Sequence, residues 1–150
     1  MTRIGLIADT HGLLRPQALV ALEGCDAILH AGDVGEADLL DALGDLAPTL
    51  AVAGNCDDLP GLPLELIHLA ASRRILLHHG HRAVDEAAHR PDIVVTGHTH
   101  QPLVRRDAAG PLRVNPGSAG PRRFRLPVTV AILTLGPGEP AAEIIELDVR

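Results

Sequence analysis

The chain has 150 residues, a formal net charge of −6, and arginine as its only basic residue type apart from histidine. That length suits one domain, 1–150, whose core buries roughly 68–70% of the unfolded surface without staples. The acidic balance argues against a general nucleic-acid or anionic-membrane binder. With Phe124 as the single aromatic residue, base-stacking platforms are nearly absent and the core must be built from Leu, Ile, Val and Ala.

Arg3–Ala8 reads as a buried strand ended by Asp9-Thr10-His11-Gly12. Pro16–Leu22 is a short helix, with Pro16 suited to its first turn. Ala27–His30 is a second strand. Glu36–Leu46 is a helix, because Leu39, Leu40, Leu43 and Leu46 follow the 3.6-residue period and acidic residues sit at its start. Thr49–Ala53 is a third strand, and this alternation implies parallel βαβ units. After the Pro-Gly punctuation at 60–63 the pattern changes. Leu64–Leu69 and Arg73–His78 are close enough to pair antiparallel, and a short helix at Ala83–His89 leads to a strand at Ile93–Thr96. Strands then follow at Leu103–Asp107, Leu112–Asn115, Thr129–Leu135 and Ala142–Asp148, with turns at Asp107–Pro111 and Pro137-Gly138. The predicted architecture is α/β (α+β), two sheets packed face to face with helices outside.

Cys25 and Cys56 are too few for a disulfide framework, and Cys25 reads as a small buried hydrophobe. The N-terminal segment lacks the apolar stretch and cleavage site of a signal peptide. No apolar run approaches the roughly 18 residues of a membrane span. A soluble, cytoplasmic protein is expected.

Seven candidate metal ligands each sit just past a short apolar run: Asp9 and His11 in DTHG, Asp33 in HAGD, Asn55 in AGNCD, His79 in HHGH, and His98 with His100 in GHTH. In open α/β sheets, ligands bind at the carboxyl ends of the strands, so loops distant in sequence can converge there. Imidazole with carboxylate and amide oxygen suits Mn, Fe, Zn or Ni better than Ca or Mg. Two cations about 3.5–4 Å apart usually mean hydrolysis or transfer at phosphorus. They repel unless an anion bridges them, and Asp33, central in the series, is the expected bridge. Two carboxylates offset only half the charge of two divalent ions, so the site stays locally positive despite the acidic chain. His78 precedes His79 within a strand and should point to the opposite face. His30 reads as a supporting or core histidine, and His68 and His89 as ordinary surface or half-buried residues. His81 is open between a substrate contact and a solvated loop residue. Asp57 and Asp58 are either partners of the ligands or plain helix N-terminal acids.

Taken in order, Asp9–Gly12, Gly32-Asp33, Gly54–Asp57, His79–His81, Gly97–His100, Asn115–Ser118 and Pro121-Arg122 read DTHG, GD, GNCD, HGH, GHTH, NPGS and PR. In this series the chain resembles the calcineurin-like metallophosphoesterase superfamily, and within it the small YfcE-type phosphodiesterases, over residues 3 to about 123. The resemblance implies a four-layer αββα sandwich with two divalent metal ions, Mn²⁺ foremost and Fe, Ni or Zn as alternatives. It implies one metal on Asp9, His11, Asp33 and His100, and a second on Asp33, Asn55, His79 and His98, with a bridging hydroxide as nucleophile on a phosphodiester or phosphomonoester. His11, Asp33, Asn55 and Cys56 are the implied catalytic residues, and Asn55, His81, Ser118 and Arg122 the implied substrate contacts. Many members of the wider superfamily carry a histidine where this chain has Cys56. A thiol is the weaker acid for a leaving group, so His11 or His81 are alternatives for that role. A small phosphoester is the expected partner, with no membrane and no long nucleic acid, and a homo-oligomer is compatible with the sequence. Two other classes stay open: a protein-binding scaffold, as in the retromer subunit of the superfamily, and a nuclease on short nucleic acid.

Overall fold

The computed structural model describes residues 1–149. In chain order the elements are β1 (Thr2–Ile7), α1 (Pro16–Leu22), β2 (Ala27–His30), α2 (Ala37–Gly44), β3 (Thr49–Ala51), β4 (Glu65–Ala70), β5 (Arg73–His78), α3 (Glu86–His89), β6 (Ile93–Val95), β7 (Leu103–Arg106), β8 (Leu112–Asn115), β9 (Thr129–Leu135) and β10 (Ala141–Glu146). They form two five-stranded mixed sheets, ordered β10-β9-β1-β2-β3 and β4-β5-β6-β8-β7. In the first sheet β1, β2 and β3 run parallel, while β9 and β10 are antiparallel additions. In the second, β5, β6 and β8 run parallel, with antiparallel β4 and β7 at its edges. β4 and β5 form the expected hairpin, closed by Ala71-Ser72 with both residues at positive φ, the geometry a two-residue hairpin turn demands.

Side-chain alternation sorts the core into two layers. Ile4 and Leu6 of β1 join Leu29, Leu77, Val95, Val114 and Leu133 between the two sheets. Ile7 points the other way and joins Leu22 of α1 and Leu39 and Leu43 of α2 on the outer face of the first sheet. The outer face of the second sheet carries only α3, a helix with no buried residue. Polar groups cover that face instead: Arg113 bonds both Glu86 and Asp107, and His78 meets Glu86 at 3.1 Å. His78 therefore faces away from the gap between the sheets, as the strand period requires.

α3 begins at Glu86 rather than near Ala83 because Asp85 caps it, accepting from the Ala88 amide at 3.3 Å. β3 ends at Ala51 rather than Ala53, since the Ala53 amide turns to the Pro63 carbonyl at 2.8 Å and leaves the ladder. β10 stops at Glu146, two residues short of the expected end, and the Leu147 amide bonds Val128 instead. Among the described residues no helix is long and apolar enough to cross a membrane.

Candidate metal centre

The parallel strands bring their carboxyl ends to one edge of the sandwich. Asp9 follows β1, Asp33 follows β2, Asn55 follows β3, His79 follows β5, and His98 and His100 follow β6. The structure brings all seven expected ligands together there. Asp33 Oδ2 lies 3.3 Å from His79 Nε2 and 3.7 Å from His11 Nε2. Asp9 Oδ1 lies 3.5 Å from His100 Nε2 and 3.8 Å from His79 Nε2. Asn55 Oδ1 lies 3.0 Å from His79 Nε2 and 3.2 Å from His98 Nδ1. Asp9, Asp33, His79 and His100 are buried, whereas Asn55 and His98 are exposed, so the cluster has a closed floor and an open mouth.

Backbone geometry aims these groups. Asp9, His11, Asp33, His98 and His100 all have positive φ, between 48° and 74°. A residue with a Cβ pays on the order of 1–2 kcal/mol for that conformation, and such strain collects at functional sites. Gly32, at φ 101°, is sterically required: a Cβ there would lie 2.6 Å from His79 Nδ1. Each carboxylate divides its oxygens between support and site. Asp33 accepts the Cys56 amide through Oδ1 at 2.9 Å and keeps Oδ2 for the histidines. Asp9 accepts the His98 amide through Oδ2 at 3.0 Å and keeps Oδ1.

Hydrogen-bond directions define which imidazole atoms are free. His79 donates Nδ1–H to the Ala31 carbonyl at 2.8 Å, and burial lowers its pKa. The neutral ring then has a bare lone pair on Nε2, the arrangement of a metal-ligating histidine. That lone pair faces Asn55 Oδ1 and the two carboxylates, a convergence of acceptor atoms suited to a cation. Asp9 Oδ1, His11 Nε2 and His100 Nδ1 are likewise buried without hydrogen-bond partners. Burial, with help from the Asp33 charge, raises the Asp9 carboxyl to about 7. Burial and the charge of Arg123 lower His100 to about 4. Buried polar groups are ordinarily paired. This donor set fits divalent metal ions.

A protein-family profile described as the calcineurin-like phosphoesterase superfamily domain matches residues 2–137. The chain belongs to the calcineurin-like phosphoesterase superfamily. A probable metallophosphoesterase of Methanothermobacter thermautotrophicus is 35% identical over 158 aligned positions, covering 95% of this chain and 91% of the relative. Among solved structures, a novel archaeal phosphodiesterase superposes with a TM-score of 0.77 at 20% identity, over 96% of this chain and 100% of that one. Wild-type Vps29 of Entamoeba histolytica, complexed with Zn²⁺, gives a TM-score of 0.77 at 22% identity, over 97% and 99% of the two chains. At these identities the structural matches establish the metallophosphoesterase sandwich.

In this calcineurin-like domain the remaining expected residues fall into two groups. His81 stands beside the cluster, its ring centroid 5.3 Å from that of His79 and 6.3 Å from that of His98. Cys56 is exposed at the mouth, and partial desolvation together with the Asp33 charge pushes its thiol pKa up. Ser118, expected at the substrate, is buried: its hydroxyl donates to the Asp9 carbonyl at 3.0 Å, beneath the ligand loop. Arg122, also expected at the substrate, extends an Nη2 donor to the Val149 carbonyl at 3.3 Å, toward the C-terminal segment. Asn115 holds the GHTH loop by donating to Gly97 and Thr99. His89 pairs with Glu65 at 2.7 Å and lies apart from the cluster, and His68 is half-buried on β4.

Two supports carry more than the sequence showed. Asp57 accepts the Val34, Gly35 and Gly54 amides at 3.1, 3.0 and 2.9 Å, locking the Asp33 loop to the Asn55 loop. His30 is fully buried, and its directions are forced. The Gly32 amide donates to Nδ1 at 3.1 Å, so Nε2–H donates to Thr10 Oγ1 at 2.9 Å, and that hydroxyl donates on to the Val34 carbonyl at 2.8 Å. Burial lowers His30 to about 3, which keeps it neutral. Of the two readings the sequence left open for each, His30 is the supporting histidine rather than a core filler alone, and Asp57 a partner of the ligand loops rather than a helix N-terminal acid.

Proposed function

We propose that this chain is a metal-dependent phosphoesterase that hydrolyses small phosphodiesters, and phosphomonoesters alongside them, with two divalent ions, manganese foremost. One observation carries the reading: Asn55 Oδ1 and Asp33 Oδ2 face the bare Nε2 of His79 at 3.0 and 3.3 Å, a convergence of lone pairs that suits a cation. Asp9, His11, Asp33 and His100 would hold one ion. Asp33, Asn55, His79 and His98 would hold the other, with Asp33 shared because its Oδ2 lies between His11 and His79. Bound ions would supply Lewis acidity and a water of lowered pKa, toward ~7. The chain's own part is to orient and to manage protons. The open mouth at Asn55 and His98 admits the ester, His81 stands next to it, and Cys56 lies beside Asp33 as a proton donor toward a leaving group. Because the Cys56 thiol is raised, it stays protonated at neutral pH and gives up its proton reluctantly. Esters with good leaving groups should therefore react best.

The deciding experiment is hydrolysis of bis-p-nitrophenyl phosphate by protein loaded with Mn²⁺, and its loss with EDTA. Absence of turnover across Mn²⁺, Ni²⁺, Co²⁺ and Zn²⁺ would count decisively against the reading. Asp33→Ala should abolish turnover with the fold intact, since it removes the shared carboxylate. The superposition on Vps29 makes a protein-binding scaffold the second reading. The complete ligand set argues for catalysis, and because Vps29 itself is complexed with Zn²⁺, turnover in the activity assay, rather than bound metal, separates the two. A nuclease on short nucleic acid remains the third, and a cytoplasmic site of action accompanies all of them.

A further inference from the structure

Between β8 and β9 the chain leaves the second sheet and crosses the rim of the metal centre. The base of this loop is closed where the Thr129 amide bonds the Ser118 carbonyl at 3.0 Å. Its first half is pinned on the Asp9 loop. The Ala119 amide bonds the Ala8 carbonyl at 3.0 Å, Ser118 bonds the Asp9 carbonyl, and Arg15 Nη2 bonds the Gly120 carbonyl at 3.2 Å. Gly120 has to be glycine there, because a Cβ would collide with the carbonyl oxygens of Asp9 and Thr10. The loop then turns back on itself, the Leu126 amide bonding the Arg123 carbonyl at 3.2 Å, with Phe124 and Arg125 at the tip.

The tip is built against ordinary folding physics. Phe124, the one aromatic residue of the chain, is 91% exposed and has φ 54°. A bulky side chain at positive φ is a conformational outlier, and leaving a Phe in water forgoes roughly 1.5–3 kcal/mol of burial. Around it Arg122, Arg123 and Arg125 are all exposed, and none has an acidic partner among the described residues, although the protein as a whole is acidic. Like charges in a row repel, and no salt bridge among the described residues relieves them. Arg122 is anchored on Val149, but the charge of Arg123 reaches Asp9, Cys56 and His100. A flat ring bordered by unpaired guanidiniums beside the metal centre suits a planar base joined to more than one phosphate.

We infer that the loop Arg122–Arg125 selects nucleotide-like phosphoesters, with Arg123 holding a phosphate other than the one cleaved and Phe124 stacking on the base. The inference rests on reading the metal centre as a phosphoesterase. One aromatic residue provides one platform, so the ligand is a mononucleotide or one end of a dinucleotide. A longer strand would find no second platform and a net negative protein.

The test is equilibrium binding by calorimetry of two probes that resist hydrolysis at the P–P link: adenosine 5′-(α,β-methylene)diphosphate and base-free methylenediphosphonate. The wild type should bind the nucleoside probe about 10-fold more tightly, the worth of one stacked base. Phe124→Ala should remove that preference and Phe124→Tyr should keep it, while Arg123→Gln should weaken both probes several-fold. Both positions are exposed, so thermal unfolding of the variants should match the wild type. Equal binding of the two probes by the wild type, or a preference surviving Phe124→Ala, overturns the inference. If the Mn²⁺-loaded protein cleaves bis-p-nitrophenyl phosphate and shows no base preference, the loop inference alone fails. If it cleaves no phosphoester, the reading of the site fails with it.

Discussion

Asp9 takes the His98 backbone amide on Oδ2 at 3.0 Å, while its Oδ1 is buried with no hydrogen-bond partner. The consequence is a carboxyl whose ionised form the metal-free fold resists, its pKa raised to about 7 by burial and by the Asp33 charge. A carboxyl raised in the folded state binds more protons there than in the unfolded chain. Its contribution to stability is whole below about pH 4, declines as pH rises, and is fully lost above about pH 7. Asp9→Asn removes this loss. In EDTA at pH 8 that variant should be more stable than the wild type by on the order of 2 kcal/mol, a difference that vanishes near pH 4. It should also bind metal far more weakly. Thermal melts at the two pH values, with and without Mn²⁺, give the outcome directly.

The same proton should appear in metal binding. A divalent ion must displace it from Asp9, so the apparent affinity should fall as pH drops below 7, by up to about tenfold per unit for one coupled proton. Calorimetric titration of Mn²⁺ in buffers of different ionisation enthalpy counts the protons released. Close to one more should leave at pH 6 than at pH 8.

Thr10 is the middle of the buried relay from His30 to Val34. Thr10→Val keeps the shape and deletes the hydroxyl, stranding the His30 Nε2–H and the Val34 carbonyl. A loss of about 2 kcal/mol in urea unfolding is expected, with Mn²⁺ affinity reduced because the Asp33 loop loses its brace. Thr10→Ser should retain most of both.

Strain at the ligands is measurable without metal. His11 has φ 48°. His11→Gly and His11→Ala both remove the ligand, but only glycine relieves the backbone. The glycine variant should therefore exceed the alanine variant by about 1 kcal/mol in metal-free unfolding, against the usual order in which glycine is the less stable.

Chemistry that announces itself locally was legible in the sequence. Pro16 opens α1 at the expected residue, and the bounds of β2, β5, β8 and β9 match the apolar runs between their punctuating residues. The ligand series could be read because each member lies within five residues of a strand's carboxyl end, and strand ends are where parallel sheets gather loops. What stayed hidden depends on partners distant in the chain. The cap that shortens α3 needs the Asp85 side chain to find Ala88. The hydroxyl of Ser118 is consumed by the Asp9 carbonyl, a contact across the molecule that no local pattern encodes. Arg122 likewise extends to the Val149 carbonyl, a contact with the far end of the chain. The left-handed backbone at Asp9, Asp33 and His98 leaves only a faint trace in residue type, since Asp and His tolerate that conformation better than most residues but do not demand it as glycine does.

Asp57 ties three amides from two ligand-bearing loops to a single carboxylate. The geometry of those loops is therefore secured by the polypeptide alone and does not wait for ions to arrive. A chelator should strip this centre as one empties a socket, leaving the cradle standing, and fresh ions should restore it within the time of diffusion rather than that of refolding.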